Sequence, residues 1–308
     1  MWLAITVDTE PRFEERLSSA FEDLGAVAVT LLDAADQPIY EPKPGETPLW
    51  RHLTMQALFP GDADESGIVF GLSALQPGLD MRRLQVQRIA DQDWERAWMD
   101  DFQPMRFGQR LWIVPSAHPV PDDAHADDAV RLRLDPGLAF GTGTHATTAL
   151  CLEWLDGQPL AGKRVLDFGC GSGVLAIAAA LLGAAAVVAT DNDPQTLTAT
   201  ADNAAANAVQ DALHIVASDD WTAAGDNDVV VANILANTLV ELAPQLVAAL
   251  APGGRLALSG ILPEQADAVA DAYAALGVDL QRRERDGWVL LATAAGDADA
   301  NRDTDTDA

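Results

Sequence analysis

The chain has 308 residues, enough for two domains, and its 49% hydrophobic and 21% charged residues are typical of a packed globular protein. It has no apolar run near the roughly 20 residues of a membrane-spanning helix. Two cysteines are too few for a disulfide framework or a cysteine-built metal site. A net charge of −28 argues against nucleic acid as the main partner and permits a basic one. We therefore expect a cytoplasmic protein that holds no metal and contacts neither membrane nor nucleic acid directly.

The first 90 residues predict a small α+β domain. Alternating apolar residues predict strands, and apolar residues at helical spacing predict helices. The expected strands are 2–7, 26–32, 53–59 and 82–89, the helices are 10–24 and 63–75, and a loop rich in Pro, Asp and Gly covers 33–48. The resulting order, βαββαβ, is that of a ferredoxin-like domain.

A connecting segment is expected from residue 91 to residue 129. It begins with a helix over 91–103, which Pro104 ends, and continues with a strand at 110–114 and a loop at 115–129. At the other end of the chain, residues 296–308 are rich in Asp and predict a disordered acidic tail.

Residues 130–295 alternate between strand and helix patterns and predict the larger domain. The expected strands are 164–168, 187–191, 213–217, 228–232, 255–259, 278–283 and 288–294, and the helices are 145–155, 174–182, 194–207, 237–250 and 264–276. This alternation predicts an α/β fold with a mainly parallel sheet covered by helices on both faces. In such sheets the ligand lies beyond the carboxyl ends of the strands.

A glycine turn follows the first strand of that sheet. Residues 165–173 read V-L-D-F-G-C-G-S-G, in which Asp167 precedes Gly169, Gly171 and Gly173. Glycine permits a sharp turn and lets a ligand lie against bare main chain. The dinucleotide fingerprint needs G-x-G-x-x-G, and here the third glycine comes one residue too early. The turn resembles motif I of class I S-adenosylmethionine (SAM) methyltransferases, and an ordinary tight turn of an unrelated α/β protein is the alternative.

Acidic residues follow the next two strands. Asp191 lies 22 residues after Gly169, where a carboxylate can accept hydrogen bonds from ribose hydroxyls. Asp193 precedes Pro194, a pair typical of a helix start, so we assign Asp193 to capping. Asp219 follows the third strand, where it could accept from an adenine amine or be a solvated loop residue, as could its neighbour Asp220.

The strand pattern D-V-V-V-A-N ends in Asn233. An amide at this position can accept a hydrogen bond from a substrate amine and direct its nitrogen towards a methyl group. The alternative is an Asn that caps the following helix. We favour the amine-positioning role, because the strand is expected beside the glycine turn.

A segment rich in glycine and threonine, residues 135–148, leads into the helix before the glycine turn. Thr144 is a plausible N-cap, Thr148 can direct its hydroxyl into the pocket, and Phe140 could exclude water. His145 could act as a base, although a single His at a helix start is more often structural.

These motifs, in their order along the chain, resemble the ribosomal protein L11 methyltransferase family. The stretches concerned are D-P-G-L-A-F-G-T-G-T-H, D-F-G-C-G-S-G, D-x-D-P and V-V-A-N-I-L-A, with the connecting segment W-E-R-A-W-M-D-D-F-Q-P-M-R-F-G-Q-R-L-W. The resemblance covers about residues 50–295. Ala146 departs from it, because the family usually has Pro after the His.

The resemblance implies a class I methyltransferase, Rossmann-like with a seven-stranded sheet, that uses SAM to trimethylate lysine side chains and the N-terminal amine of ribosomal protein L11. The N-terminal domain would recognise that basic protein. Family cofactor positions fall on Thr148, Gly169, Asp191 and Asn233.

Three alternatives stay open: a methyltransferase for another amine or amide, a nicotinamide-dependent oxidoreductase, and a non-catalytic ribosome-binding module. Enzymes that methylate glutamine tend to have N-P-P-Y where this chain has N-I-L-A.

Overall fold

The computed structural model describes residues 1–34, 49–76, 83–90, 102–135 and 145–294. It divides into two compact units, Met1–Ala97 and Trp98–Ala308. Several sequence predictions lie outside the described residues: most of the loop at 33–48, the helix at 91–103 up to residue 101, Phe140, Thr144 and the acidic tail. Among the described residues, no helix is long and apolar enough to cross a membrane.

The first unit is a four-stranded antiparallel sheet with helices packed on one face. Apolar side chains of both helices and of the central strands form its core, with Phe21 packed edge-on against Phe59. The strand order is β2-β3-β1-β4, which confirms the predicted βαββαβ arrangement. Its elements are β1 (Trp2–Thr9), α1 (Glu14–Asp23), β2 (Ala28–Asp33), β3 (Leu53–Pro60), α2 (Glu65–Leu75) and β4 (Leu84–Ile89).

The second unit is built on a seven-stranded sheet of order β10-β9-β8-β11-β12-β14-β13. The first five strands in this order pair in parallel, and β14 pairs antiparallel with both β12 and β13. This pairing confirms the predicted mainly parallel sheet. The strands are β8 (Arg164–Phe168), β9 (Ala186–Asp191), β10 (Leu213–Ala217), β11 (Asn227–Asn233), β12 (Leu250–Ile261), β13 (Leu280–Arg285) and β14 (Trp288–Thr293).

Helices cover both faces of this sheet and form two apolar clusters with it. The helices are α3 (Ala146–Asp156), α4 (Val174–Leu181), α5 (Pro194–Ala206), α6 (Ala236–Glu241), α7 (Ala243–Ala248) and α8 (Ala266–Ala274). The single helix expected at 237–250 is wrong. Pro244 has no N–H to donate, so the chain breaks at Leu242 into α6 and α7, and Leu250 already belongs to β12.

A small sheet precedes α3, formed by β5 (Met105–Phe107), β6 (Leu111–Val114) and β7 (Val130–Arg133). Asp156, the buried last residue of α3, binds the turn between β5 and β6 and so attaches this sheet to the helix. The Asp156 carboxylate accepts from the backbone N–H groups of Gln109 at 2.6 Å and Arg110 at 3.2 Å, and it pairs with the Arg110 guanidinium at 3.3 Å. The same helix carries Thr148 near its other end, so the contacts of Asp156 contribute to the position of Thr148 as well.

Candidate active site at the carboxyl edge of the sheet

Three neighbouring parallel strands end at the predicted site. In the sheet β8 lies between β9 and β11, so the turn after β8 has Asp191 on one side and Asn233 on the other. The structure therefore brings together the glycine turn, Asp191 and Asn233, as the sequence predicts.

The glycine turn adopts a backbone that other residues rarely reach. Gly169, Gly171 and Gly173 have φ angles of +78°, +55° and +79°. The N–H groups of Gly169 and Cys170 both donate to the Thr190 carbonyl, at 2.8 and 3.0 Å, which ties the turn to the end of β9. Each glycine is thus required by conformation, and the turn presents main chain to the edge of the sheet.

Two side chains of helix α5, neither of them predicted as a site residue, donate hydrogen bonds to backbone carbonyls of the glycine turn. The Thr200 hydroxyl donates to the Gly171 carbonyl at 2.9 Å, and the Asn203 amide donates to the Ser172 carbonyl at 2.8 Å. A Cβ at Gly173 would lie 2.7 Å from the Thr200 methyl group. Thr200 and Asn203 are three residues apart on an alanine-rich helix and so share a face, a signal that could have marked them.

Asp167 is fully buried beneath the turn. Its Oδ2 accepts from the backbone N–H of Ala176 in α4 at 2.9 Å, whereas no hydrogen-bond donor lies within reach of Oδ1 among the described residues. Burial raises the pKa of Asp167 to about 7; the Ala176 N–H lowers it and the Asp191 charge raises it further. An unpartnered buried oxygen beside a glycine turn indicates a site that takes a hydrogen-bond donor or a cation.

The Asp191 carboxylate accepts from the Gly171 N–H at 2.9 Å and from the Asp193 N–H at 3.1 Å. Each oxygen retains a lone pair for another donor, such as a ribose hydroxyl. Asp193 is the N-cap of α5 and accepts from the Gln195 N–H at 2.8 Å, which confirms its capping role.

Asn233 is anchored by its neighbour Ile234, which lies between two glycines. A Cβ on Gly169 would come within 2.2 Å of the Ile234 side chain, and a Cβ on Gly260 within 2.2 Å of the Ile234 carbonyl oxygen. Gly260, with φ of +84°, interrupts the pairing of β12 with β14. Neither Ile234 nor Gly260 is among the predicted site residues, although a single glycine inside a strand pattern indicates a close backbone approach.

The side chain of Asn233 contacts helix α3. Its Nδ2 donates to the hydroxyl of Thr148 at 3.3 Å, and Thr148 is fully buried. Because the amide nitrogen faces Thr148, the amide oxygen is the group left to accept a hydrogen from a ligand.

His145, not Thr144, is the N-cap of α3. The expectation for Thr144 is wrong, because His145 Nδ1 accepts from the Thr147 N–H and also lies 2.8 Å from the Thr147 hydroxyl. The His145 ring packs edge-on against Trp288, with ring centroids 4.8 Å apart. These contacts favour the structural role over that of a base.

Asp219 is exposed in the turn after β10. Two residues later, Trp221 packs edge-on against Phe168, the last residue of β8, with ring centroids 5.6 Å apart. The turn that carries Asp219 is therefore tied to the strand that leads into the glycine turn.

Comparison with known proteins identifies the family. The family model of ribosomal protein L11 methyltransferase (PrmA) matches residues 1–295 of the sequence. Proteins named ribosomal protein L11 methyltransferase from Azotobacter vinelandii and Pseudomonas aeruginosa are 58% and 56% identical; each alignment covers 94% of this chain, with 96% and 97% of the relative. The crystal structure of a ribosomal protein L11 methylase from Lactobacillus delbrueckii subsp. bulgaricus matches with a TM-score of 0.55 and 34% identity, over 62% of this chain and 98% of that one. With this match over nearly its whole length and this geometry at the glycine turn, the chain belongs to the ribosomal protein L11 methyltransferase family.

Proposed function

We propose that this enzyme transfers methyl groups from SAM to lysine side chains and the N-terminal amine of ribosomal protein L11, in the cytoplasm, and that it trimethylates them. The observation that carries the proposal is the position of the Asn233 amide, next to the glycine turn in a chain of this family. The partner is a basic protein, and the net charge of −28 favours its approach by long-range attraction. Nucleic acid and membrane have no direct part in this proposal.

The residues at the carboxyl edge fit SAM better than they fit a dinucleotide. A pyrophosphate would need free backbone N–H groups at the turn and the start of α4. Here the Gly171 and Ala176 N–H groups already donate to the carboxylates of Asp191 and Asp167. A site lined by carboxylates favours a cationic ligand, and SAM carries an ammonium and a sulfonium.

We assign the following roles to this chain's residues. Asp167 faces the ammonium of the cofactor's amino acid end, the glycines give that end room, and Asp191 accepts from the ribose. Asp219 lies on the side of the adenine. SAM supplies the electrophilic methyl group when it is bound. The remaining cofactor contacts come from Thr148 and Asn233, and the full set is Thr148, Asp167, Gly169, Gly171, Gly173, Asp191, Asp219 and Asn233.

Asn233 positions the acceptor amine. A lysine amine with a pKa of about 10.4 is protonated at neutral pH and must lose a proton before it attacks. A pocket of low polarity lowers that pKa, and we propose that the proton leaves through solvent. The Asn233 amide oxygen then accepts from an N–H of the neutral amine, which fixes the direction of its lone pair. Thr148 keeps the amide in this orientation by accepting from Nδ2. We assign His145 to capping α3 and not to proton transfer.

The first unit is proposed to recognise the substrate, as the family resemblance implies, and residues 91–129 to connect it to the catalytic domain at 130–295. Repeated transfer to several amines of one protein would need the catalytic site to reach each of them in turn. The division of the chain into two compact units, Met1–Ala97 and Trp98–Ala308, is compatible with that requirement.

Incubation of the purified enzyme with methyl-labelled SAM and isolated bacterial ribosomal proteins tests the substrate. We expect label on L11, in amounts that rise to three methyl groups per modified amine by mass spectrometry. Label on another protein, or on a glutamine side chain, would contradict the substrate assignment. Absence of any transfer together with absence of SAM binding would favour a non-catalytic ribosome-binding module.

Asn233→Ala should lower kcat roughly 100-fold, because loss of the orienting oxygen misplaces the attacking nitrogen. Calorimetry should still detect S-adenosylhomocysteine binding. The matched control is Asn227→Ala, at the opposite end of the same strand, where the buried amide donates to the Ala249 carbonyl. That control should lower the melting temperature and leave the kcat of the folded enzyme within a few-fold of wild type. Equal kcat for Asn233→Ala and wild type would refute the positioning role.

Thr148→Val preserves the shape of the side chain and removes the hydroxyl that accepts from Asn233. We expect kcat at saturating SAM to fall roughly 10-fold, the equivalent of a lost hydrogen bond of about 1.4 kcal/mol. Thr148→Ser restores the hydroxyl and should recover most of that loss. If Thr148 acts only as a cofactor ligand, Thr148→Val will instead raise the SAM concentration needed for saturation and leave kcat unchanged.

A further inference from the structure

The carboxyl group of Asp167 lies in an environment that disfavours its ionised form. The side chain has no exposure to solvent, and of its two oxygens only Oδ2 receives a hydrogen bond from the described residues, from the Ala176 N–H. A buried carboxylate with one donor lacks the two or three that stabilise such charges in other proteins.

Within the part of the chain that the structure describes, the ionisable groups around Asp167 offer it no compensating positive charge. Asp191, at the end of β9, acts on it as a like charge. Cys151 of α3 and Cys170 of the turn are buried thiols whose pKa values are raised by burial, so both are neutral at physiological pH. Among the described residues, the ionisable groups that interact with Asp167 are thus one carboxylate and two neutral thiols.

A proton is the remaining means of neutralising this carboxyl group. Burial raises the pKa of Asp167 to about 7, so the group is mostly protonated at pH 6 and mostly ionised at pH 8. The protonated carboxyl is also the form that tolerates the unpartnered Oδ1.

We propose that Asp167 holds a proton in the cofactor-free enzyme and releases it when SAM binds, so that the ammonium of the cofactor replaces the proton. The carboxyl O–H bond breaks, the proton passes to the buffer, and the carboxylate retains the electron pair and faces the new positive charge. No oxidation or reduction is involved. This inference rests on the cofactor site proposed above.

Proton release couples SAM affinity to pH in a defined direction. Because the complex holds fewer protons than the free enzyme, affinity rises with pH below the pKa of Asp167 in the free enzyme and becomes flat above it. For complete ionisation in the complex, the slope below that pKa approaches a tenfold change in Kd per pH unit.

Isothermal titration of the wild-type enzyme with SAM at pH 6.0, in buffers of different ionisation enthalpy, counts the protons released. A pKa of about 7 predicts about 0.9 proton per bound cofactor. At this pH the α-amino group of SAM, with a reference pKa of about 7.7–8.0, is already protonated and contributes little uptake. Heats that do not depend on the buffer would overturn the proposal.

Asp167→Asn tests the origin of the proton, since the amide resembles the protonated carboxyl and cannot titrate. We expect proton release to fall to near zero in this variant, whereas Asp228→Asn should release as much as wild type. Asp228 is the matched control because its carboxylate lies at the start of β11 and has a pKa lowered mainly by the Arg164 N–H and by Lys163. Release that persists in Asp167→Asn would assign the proton to another group and overturn the proposal.

The pH profile of wild-type affinity tests the proposal without any variant, in case Asp167→Asn fails to fold or bind. The SAM Kd should fall roughly tenfold between pH 5.5 and 6.5, and a flat profile would overturn the proposal. Failure of the wild-type enzyme to bind SAM at any pH would overturn the proposed function and this inference with it. Binding without proton release would leave the proposed function intact and overturn only this inference.

Discussion

The close packing of Ile234 between Gly169 and Gly260 is the constraint on which the site depends. Side chains larger than hydrogen at either glycine would overlap Ile234, with a Cβ only 2.2 Å from its nearest atom. This packing joins the glycine turn after β8, the end of β11 and the irregular stretch of β12. It places Asn233 one residue from the contact, so the glycine turn and the Asn233 amide share one support. Cores packed at this density have little room to adjust, which is why a single added methyl group would displace both elements.

The second feature of the site is that some of its backbone N–H groups donate to carboxylates of the protein. In nucleotide-binding α/β proteins the free N–H groups at a helix start meet phosphate. In this chain two of the N–H groups in that region donate to carboxylates of the protein itself, Asp167 and Asp191. The region is thereby changed from one that attracts anions to one that favours a cation. The one-residue difference in glycine spacing, which separates this turn from the dinucleotide fingerprint, thus has an electrostatic counterpart in the structure.

Much of the fold could be predicted from local sequence signals. Short patterns that tertiary contacts do not override predict the strand ends at Asp191 and Asn233, the Asp193–Pro194 helix start and the mainly parallel pairing of the large sheet. The errors have specific causes. Pro244 divides an apolar run that has the spacing of one helix, and the side chain of His145 caps α3 in place of the expected Thr144.

Other parts of the site could not be predicted because they depend on residues distant in sequence. Thr200 and Asn203 support the glycine turn from 29 and 31 residues away, and Asp156 binds the turn at Gln109 and Arg110 from more than 45 residues away. The Asn233–Thr148 contact joins a strand and a helix that are 85 residues apart. The sequence can mark Thr200 and Asn203 as polar residues that share one face of an alanine-rich helix. Which backbone groups they bind is decided only when the fold brings the partners together.

The roles proposed for Asp167, Asp191 and Asn233 require the cofactor to lie between the carboxylates near the glycine turn and the Asn233 amide. A crystal structure of the enzyme with bound S-adenosylhomocysteine tests this most directly. We expect the ammonium of the ligand to face Asp167, its ribose hydroxyls to donate to Asp191, and its sulfur to lie on the side of Asn233. A ligand bound with its amino acid end away from Asp167, or outside the carboxyl edge of β8, β9 and β11, would contradict these roles.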